Sequence, residues 1–183
     1  MTVSPVRIAV AVSLALAAAA CSPTDKPQTP PPSSAGESPI STVSAEQAEA
    51  AAGALAAYNQ FREYQVKAMT SGKNSRDEMV GFTGEPLLGT SLHALDSQAR
   101  NGITFAGRPA WSPKASAVDL TKNPPIVTID DCFDTTGFTP VKNGKPVPAA
   151  SGTPTRFIVI VKVKKVDGRW YVFEDISPRS RSC

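Results

Sequence analysis

Histidine and cysteine are scarce in this sequence of 183 residues, which contains one histidine, His93, and three cysteines with no Cys-x-x-Cys pair. A zinc-type site draws several such ligands from closely spaced positions, so the sequence predicts neither a metal site nor a cofactor. It also lacks a glycine-rich phosphate loop and a Ser-His-Asp set. The formal net charge of +3 is small, and scattered basic residues of this kind argue against nucleic-acid binding.

The sequence has one long apolar run, and it is too short to span a bilayer comfortably. Arg7 precedes residues 8–20, which are almost wholly apolar and end in Leu-Ala-Ala-Ala-Ala before Cys21. Residues 1–20 resemble a bacterial lipoprotein signal peptide, in which Cys21 would receive the lipid and anchor the protein to the cell membrane. Ala18 and Ala20 also suit ordinary signal peptidase, so simple secretion is the alternative. In both cases we expect an extracytoplasmic protein.

The residues after the signal divide by composition into a linker and a domain. Residues 21–43 hold Cys21 followed by a Pro- and Ser-rich stretch with six prolines and no apolar periodicity, which is typical of a linker with polyproline II preference. Residues 44–183 are long enough for one folded domain.

Two cysteines, Cys132 and Cys183, remain in the predicted domain. An exported domain with two cysteines most often pairs them, and the bridge would contribute about 4 kcal/mol in the chain-entropy account. Cys132 lies on the opposite face of its predicted strand from Val127 and Ile129, where a tail ending at Cys183 can reach it. We therefore predict a Cys132–Cys183 disulfide, with two free thiols as the alternative.

Two helices open the domain. Ser44-Ala-Glu-Gln47 has the pattern of a capping box, and the apolar spacing that follows predicts a helix to about Thr70. Pro86 suits a first helical position, and the leucine spacing after it predicts a second helix that ends at Asn101-Gly102. His93 lies off the apolar stripe of this second helix, which favours a surface histidine over a catalytic base.

The second half of the domain is rich in β-formers. Residues 103–105, 115–120 and 126–138 are predicted as strands, and residues 139–155 as a long, exposed and mobile connection. Residues 156–177 form two β-rich runs around Asp167-Gly168, a strong hairpin signal. A regular hairpin from this turn pairs Val163 with Val172 and Val161 with Glu174, and thereby places Glu174 on the apolar face.

The order of these elements resembles the nuclear transport factor 2-like superfamily, which includes ketosteroid isomerases and polyketide cyclases. The resemblance rests on the terminal Gly168-Arg-Trp-Tyr-Val-Phe-Glu-Asp-Ile-Ser run and on Val127-Thr-Ile-Asp-Asp-Cys-Phe-Asp134, and it is strongest to small exported actinobacterial lipoproteins of that fold. It implies an α+β fold: a cone-shaped, strongly bent antiparallel sheet packed around the long N-terminal helix, with a pocket at the open end.

Several activities are compatible with such a fold, which by itself does not decide function. Asp131 and Glu174 are the candidate acid–base residues, since each is predicted on an otherwise apolar face; alternatively, one is hydrated at the rim or paired with Arg62. The predicted ligand pocket comprises Tyr58, Val161, Trp170, Val172, Asp131 and Glu174.

The predicted fold and candidate residues are compatible with three functions. The first is a non-catalytic domain that binds a small apolar ligand or a cell-envelope partner. The second is an isomerase- or dehydratase-like enzyme that uses Asp131 or Glu174. The third is a structural accessory or dimerisation domain of an envelope assembly, with a homodimer as its simplest form.

Overall fold

The computed structural model describes residues 44–148, 151–178 and 181–183. The predicted signal peptide, Cys21 and the linker lie outside the described residues. The described residues belong to one unit, Ser41–Cys183. Among their helices, none is long and apolar enough to cross a membrane.

Three helices precede the strands. α1 spans Ala45–Ser71, and Ser44 and Gln47 form the predicted capping box at its N-terminus. The helix ends at Gly72, whose left-handed backbone (φ 68°) carries an N–H that bonds back to the Ala68 carbonyl. α2 is a single turn, Arg76–Met79, and α3 spans Leu87–Arg100. Both predicted helices are confirmed, and His93 is exposed on α3 as expected.

Seven strands form two antiparallel sheets. They are β1 Ile103–Gly107, β2 Pro113–Asp119, β3 Ile126–Asp134, β4 Phe138–Lys142, β5 Lys145–Pro146, β6 Arg156–Val166 and β7 Arg169–Ile176. The larger sheet has the order β2-β3-β6-β7 and the smaller the order β1-β4-β5. An isolated bridge pairs Ala110, which lies between β1 and β2, with Asp134 at the end of β3. The result is the predicted α+β fold, a curled but unclosed antiparallel arrangement that packs on α1.

The core lies between α1 and the concave face of the larger sheet. Ala50, Ala54 and Ala57 give α1 a small-residue surface, beside which Tyr58 and Phe61 are fully buried. They meet the inward side chains of β3, β6 and β7, which alternate with outward ones along each strand. The inward residues include Val127, Ile129, Val159, Val161, Val163 and Val172.

The predicted mobile connection over residues 139–155 is partly wrong, because two strands occupy its first half. Phe138 begins β4 and pairs with Gly107 of β1, and the Phe138 ring stacks on Phe105 at 4.7 Å between centroids. Asn143 and Gly144 both have positive φ, at 50° and 76°, and turn β4 into β5. β4 is a strand because it pairs with β1. The prolines of this segment had hidden its strand character in the sequence.

The hairpin turn is confirmed, whereas the predicted register fails beyond it. Asp167 and Gly168 have φ values of 48° and 79°, and the predicted pairing of Val163 with Val172 is present. A bulge then shifts the pairing by one residue, so that Val161 lies opposite Asp175 instead of Glu174. Glu174 is therefore not on the apolar face, and Asp175 takes that position.

The predicted disulfide is confirmed. Cys132 and Cys183 are bonded, with their Cα atoms 5.9 Å apart and 51 residues apart in the sequence. The Ile158 N–H of β6 also donates to the Arg181 carbonyl at 2.8 Å. Both contacts hold the C-terminus against the outer side of the larger sheet.

Candidate functional site

A buried polar network occupies the centre of the fold, around Asp131 of β3. Asp131 is 1% exposed, as its predicted place on the apolar face requires. Its Oδ2 accepts a hydrogen bond from the Tyr58 hydroxyl at 2.5 Å, and its Oδ1 accepts one from the Ser112 N–H at 2.7 Å. Both carboxyl oxygens thus have partners, which is what burial of such a group requires.

Arg62, one turn after Tyr58 on α1, extends the network towards β7. Its Nε donates to the Tyr58 hydroxyl at 2.7 Å. Its Nη1 donates to Gln65 Oε1 at 2.7 Å and to Asp175 Oδ2 at 3.0 Å. The guanidinium also lies 4.8 Å from the centroid of the Phe133 ring. Arg62 therefore links the acid of β7 to the acid of β3 through one tyrosine.

Burial and charge fix the protonation states of Tyr58 and Arg62. Burial raises the pKa of Tyr58 well above its ordinary value of 10.0, and Asp131 raises it further against the opposing charge of Arg62. Burial by itself lowers the pKa of Arg62, but the charge of Asp175 and the hydrogen bond with Tyr58 outweigh this and the pKa is raised. At neutral pH the network therefore contains a neutral phenol and a charged guanidinium.

A cavity of about 710 Å³ lies beside this network, between α1, α3 and the two sheets. Arg62 and Gln65 form part of its wall, and most of the remaining wall comes from aromatic, proline and threonine side chains. Gln98 of α3 also lines it, and the buried Gln98 Oε1 has no hydrogen-bond partner among the described residues. The aromatic wall residues are Phe105, Phe133, Phe138 and Phe157.

The residues predicted for the pocket do not line this cavity. Tyr58 and Asp131 belong to the polar network, in which Arg62 bonds Tyr58 and Tyr58 bonds Asp131. Val161 and Val172 are fully buried in the core, and Trp170 is half-buried against Gly53 of α1.

Glu174 lies on the outer face, where it pairs with Lys162 at 2.7 Å. Its predicted position on the apolar face is wrong, because the bulge in β7 directs Phe173 and Glu174 to the same side. The acid that faces the interior from this strand is Asp175.

Sequence reasoning identified Arg62 as a partner for an acid but missed which acid it binds. Tyr58 and Arg62 are four residues apart, a spacing that places both on one helix face and that the sequence displays. Nothing comparable points to Asp175, since its inward position depends on the bulge. No cluster of three or more His, Cys, Asp or Glu side chains within the described residues could hold a metal ion.

Comparisons with known proteins bear on the fold alone. No family model matches the chain, and no curated protein matches it. The solved structures that match include the intermembrane space region of the chloroplast protein ARC6, with 9% identity, a TM-score of 0.51, and coverage of 73% of this chain and 97% of that one.

An NTF-2-like protein of unknown function from Shewanella oneidensis MR-1 also matches, with 16% identity, a TM-score of 0.35, and coverage of 67% of this chain and 97% of that one. The likeness to the ARC6 region shows a shared fold. At these identities neither comparison carries a function over to this chain.

Proposed function

We propose that this chain is a lipoprotein of the nuclear transport factor 2-like superfamily, tethered outside the cytoplasm through Cys21, whose domain binds a small apolar ligand without catalysis. The observation that carries the binding function is the cavity of about 710 Å³ with its predominantly aromatic, proline and threonine wall. Its volume falls within the range of about 300–1,000 Å³ that small-molecule sites occupy.

The state of the neighbouring acids supports binding over catalysis. A general base must reach the substrate within hydrogen-bond distance. Both oxygens of Asp131 already accept hydrogen bonds, and Asp131 does not line the cavity. Asp175 is paired with Arg62, whose side chain is 7% exposed. Among these groups only Arg62 and Gln65 reach the cavity wall, and neither is a carboxylate.

A neutral apolar dye tests ligand binding. The full chain carrying Cys21→Ala, which has no acceptor for lipid, is titrated with Nile red and followed by fluorescence. We expect saturable binding at one site. Thr139→Trp places a large side chain from β4 at the cavity wall and is expected to weaken this binding about tenfold, a loss of about 1.4 kcal/mol.

Thr128→Trp is the matched control, since Thr128 lies on the outward face of β3 and does not line the cavity. Equal dye binding by the parent chain and both variants would reject the cavity as the ligand site. In that event a cell-envelope partner bound at another surface becomes the better hypothesis, and a homodimer in sedimentation would favour a structural role.

The enzyme hypothesis makes a different prediction for Asp131. If Asp131 acts as an acid–base group through Tyr58, then Asp131→Asn abolishes turnover of an isomerase or dehydratase substrate while dye binding persists. On the binding hypothesis no turnover is detected in the parent chain. Turnover that disappears with Asp131→Asn would establish the enzyme in its place.

The tether is tested separately from the domain. Detergent phase partitioning of the exported wild-type protein and of Cys21→Ala should differ, with the wild type in the detergent phase. Release of both into the aqueous phase would leave a secreted protein with the same binding domain.

A further inference from the structure

A second pocket, of about 560 Å³, lies on the outer face of the β6–β7 hairpin and is separate from the cavity. One wall is the segment between α2 and α3, which is held on the edge of β7. Gly84 N–H donates to the Val172 carbonyl at 2.8 Å, and Val172 N–H donates to the Phe82 carbonyl at 2.9 Å. The opposite wall is the outward face of the hairpin. The pocket is therefore built from backbone-paired elements.

Positive charge predominates in this pocket. Lys164, Arg169 and Arg76 line it together with one acid, Glu85. Arg76 pairs with Glu85 at 3.0 Å. Lys164 lies 3.7 Å from the centroid of the Phe173 ring, and Arg169 lies 5.6 Å from that of Tyr171. Neither Lys164 nor Arg169 has a carboxylate within ion-pair distance in residues 44–148, 151–178 and 181–183.

A buried hydroxyl without a partner lies in the same wall. Thr83 is 1% exposed and lines the pocket. Its Oγ1 makes no hydrogen bond with any described residue. A buried hydroxyl left unpaired costs free energy that a ligand accepting its proton would recover. Gln98, the other side chain with an unpaired buried atom among those described, lines the cavity instead.

We propose that this outer pocket binds a phosphate group. The pocket offers the ammonium of Lys164, the guanidinium of Arg169 and the hydroxyl of Thr83, each from a separate element. Together these groups carry more N–H and O–H donors than the two oxygens of a carboxylate can accept, whereas a phosphate has three or more acceptor oxygens. The exposed side chains of Val80 and Val166, 48% and 42% exposed, form apolar walls beside the charges. The phosphate can come from a lipid headgroup, with its chains along these walls, or from free phosphate.

The test uses the full ¹⁵N-labelled chain carrying Cys21→Ala and three probes: inorganic phosphate, dihexanoylphosphatidylglycerol and zwitterionic dihexanoylphosphatidylcholine, both lipids below their micelle concentrations. We expect saturable shifts of the Thr83, Gly84, Lys164 and Arg169 amides with an anionic probe. Tighter binding of the phosphatidylglycerol identifies a lipid headgroup as the source. Equal or tighter binding of inorganic phosphate identifies free phosphate.

Three variants separate a binding role from a structural one. Lys164→Glu/Arg169→Glu should abolish the shifts, whereas Lys114→Glu/Lys145→Glu, the same charge change on other strands, should retain them. Thr83→Val should weaken binding about tenfold, as expected for one lost hydrogen bond to a charged group, with an unchanged or higher melting temperature. The proposal is overturned if no anionic probe shifts these amides, or if the shifts persist in Lys164→Glu/Arg169→Glu.

Discussion

Glu174 and Asp175 are neighbours on β7, yet their side chains lie in opposite environments. Glu174 pairs with Lys162 across the outer face, where the two side chains are 33% and 42% exposed. Asp175 pairs with Arg62 in the interior, where the two are 12% and 7% exposed. The bulge between Val172 and Glu174 sets this difference, because it lets two successive residues face outward.

The comparison shows that an ion pair affects stability differently in the interior and on the outer face. In the interior, removing one partner leaves the other charged and desolvated, which is costly. On the outer face, water solvates whichever charge remains, so little is lost. The interior pair also belongs to a network that continues through Tyr58 to Asp131, whereas the outer pair joins only two adjacent strands.

The largest effect is expected from breaking the interior pair. Asp175→Leu should lower the free energy of unfolding by about 3–5 kcal/mol, because Arg62 stays buried and loses its counter-charge. Chemical denaturation of wild type and variant measures this loss. In Arg62→Met/Asp175→Leu both members of this pair are removed, and the double variant should be more stable than Asp175→Leu. A loss below about 1 kcal/mol for the single variant would show that Arg62 is solvated.

The next effect concerns the tyrosine that joins the interior acids. Tyr58→Phe removes the donor to Asp131 and the acceptor for Arg62, and should cost about 1–3 kcal/mol. Because the pKa of Tyr58 is raised in the folded protein, this residue stabilises the fold below pH 10, the ordinary value for tyrosine, and the contribution declines as the pH rises further.

Denaturation curves of wild type and Tyr58→Phe from pH 7 to pH 11 measure both effects. The difference in stability between them should shrink above pH 10. Tyr64→Phe is the control, since the Tyr64 hydroxyl bonds the Ser75 carbonyl outside the network. A difference that is constant over the whole range would exclude a raised pKa for Tyr58.

The sequence predicted those features that depend on local rules. Ser44 and Gln47 mark the start of α1, and Asp167-Gly168 marks the hairpin, because capping and turn geometry are set by neighbouring residues. The Cys132–Cys183 bridge followed from the outward face of Cys132 and the reach of the tail. Tyr58 and Asp131 were correctly expected in the interior.

The features that escaped prediction depend on distant contacts. Alternation assigns Glu174 to the interior unless an extra residue interrupts the ladder, and nothing near Phe173 signals the bulge. The residues that line the cavity were not predicted, for the same kind of reason. Its walls include β4 and β5. β4 pairs with β1 through contacts about 40 residues apart, as the register of Ile103 with Lys142 shows, and β5 pairs with β4. The Asn143-Gly144 pair was a local signal only for the turn between β4 and β5.

The smallest effect is expected from the outer pair, and it bears most directly on the register. Glu174→Gln should change the free energy of unfolding by less than about 1 kcal/mol, since exposed pairs contribute little. Raising the ionic strength from 0.1 M to 1 M shortens the screening length from about 10 Å to about 3 Å and should remove most of that difference. Lys162→Gln and the double variant Lys162→Gln/Glu174→Gln complete the cycle and isolate the coupling between the two side chains. If Glu174→Gln instead cost as much as Asp175→Leu, independently of salt, Glu174 would be the buried acid, the hairpin would be regular, and the interior partner of Arg62 would have to be reassigned.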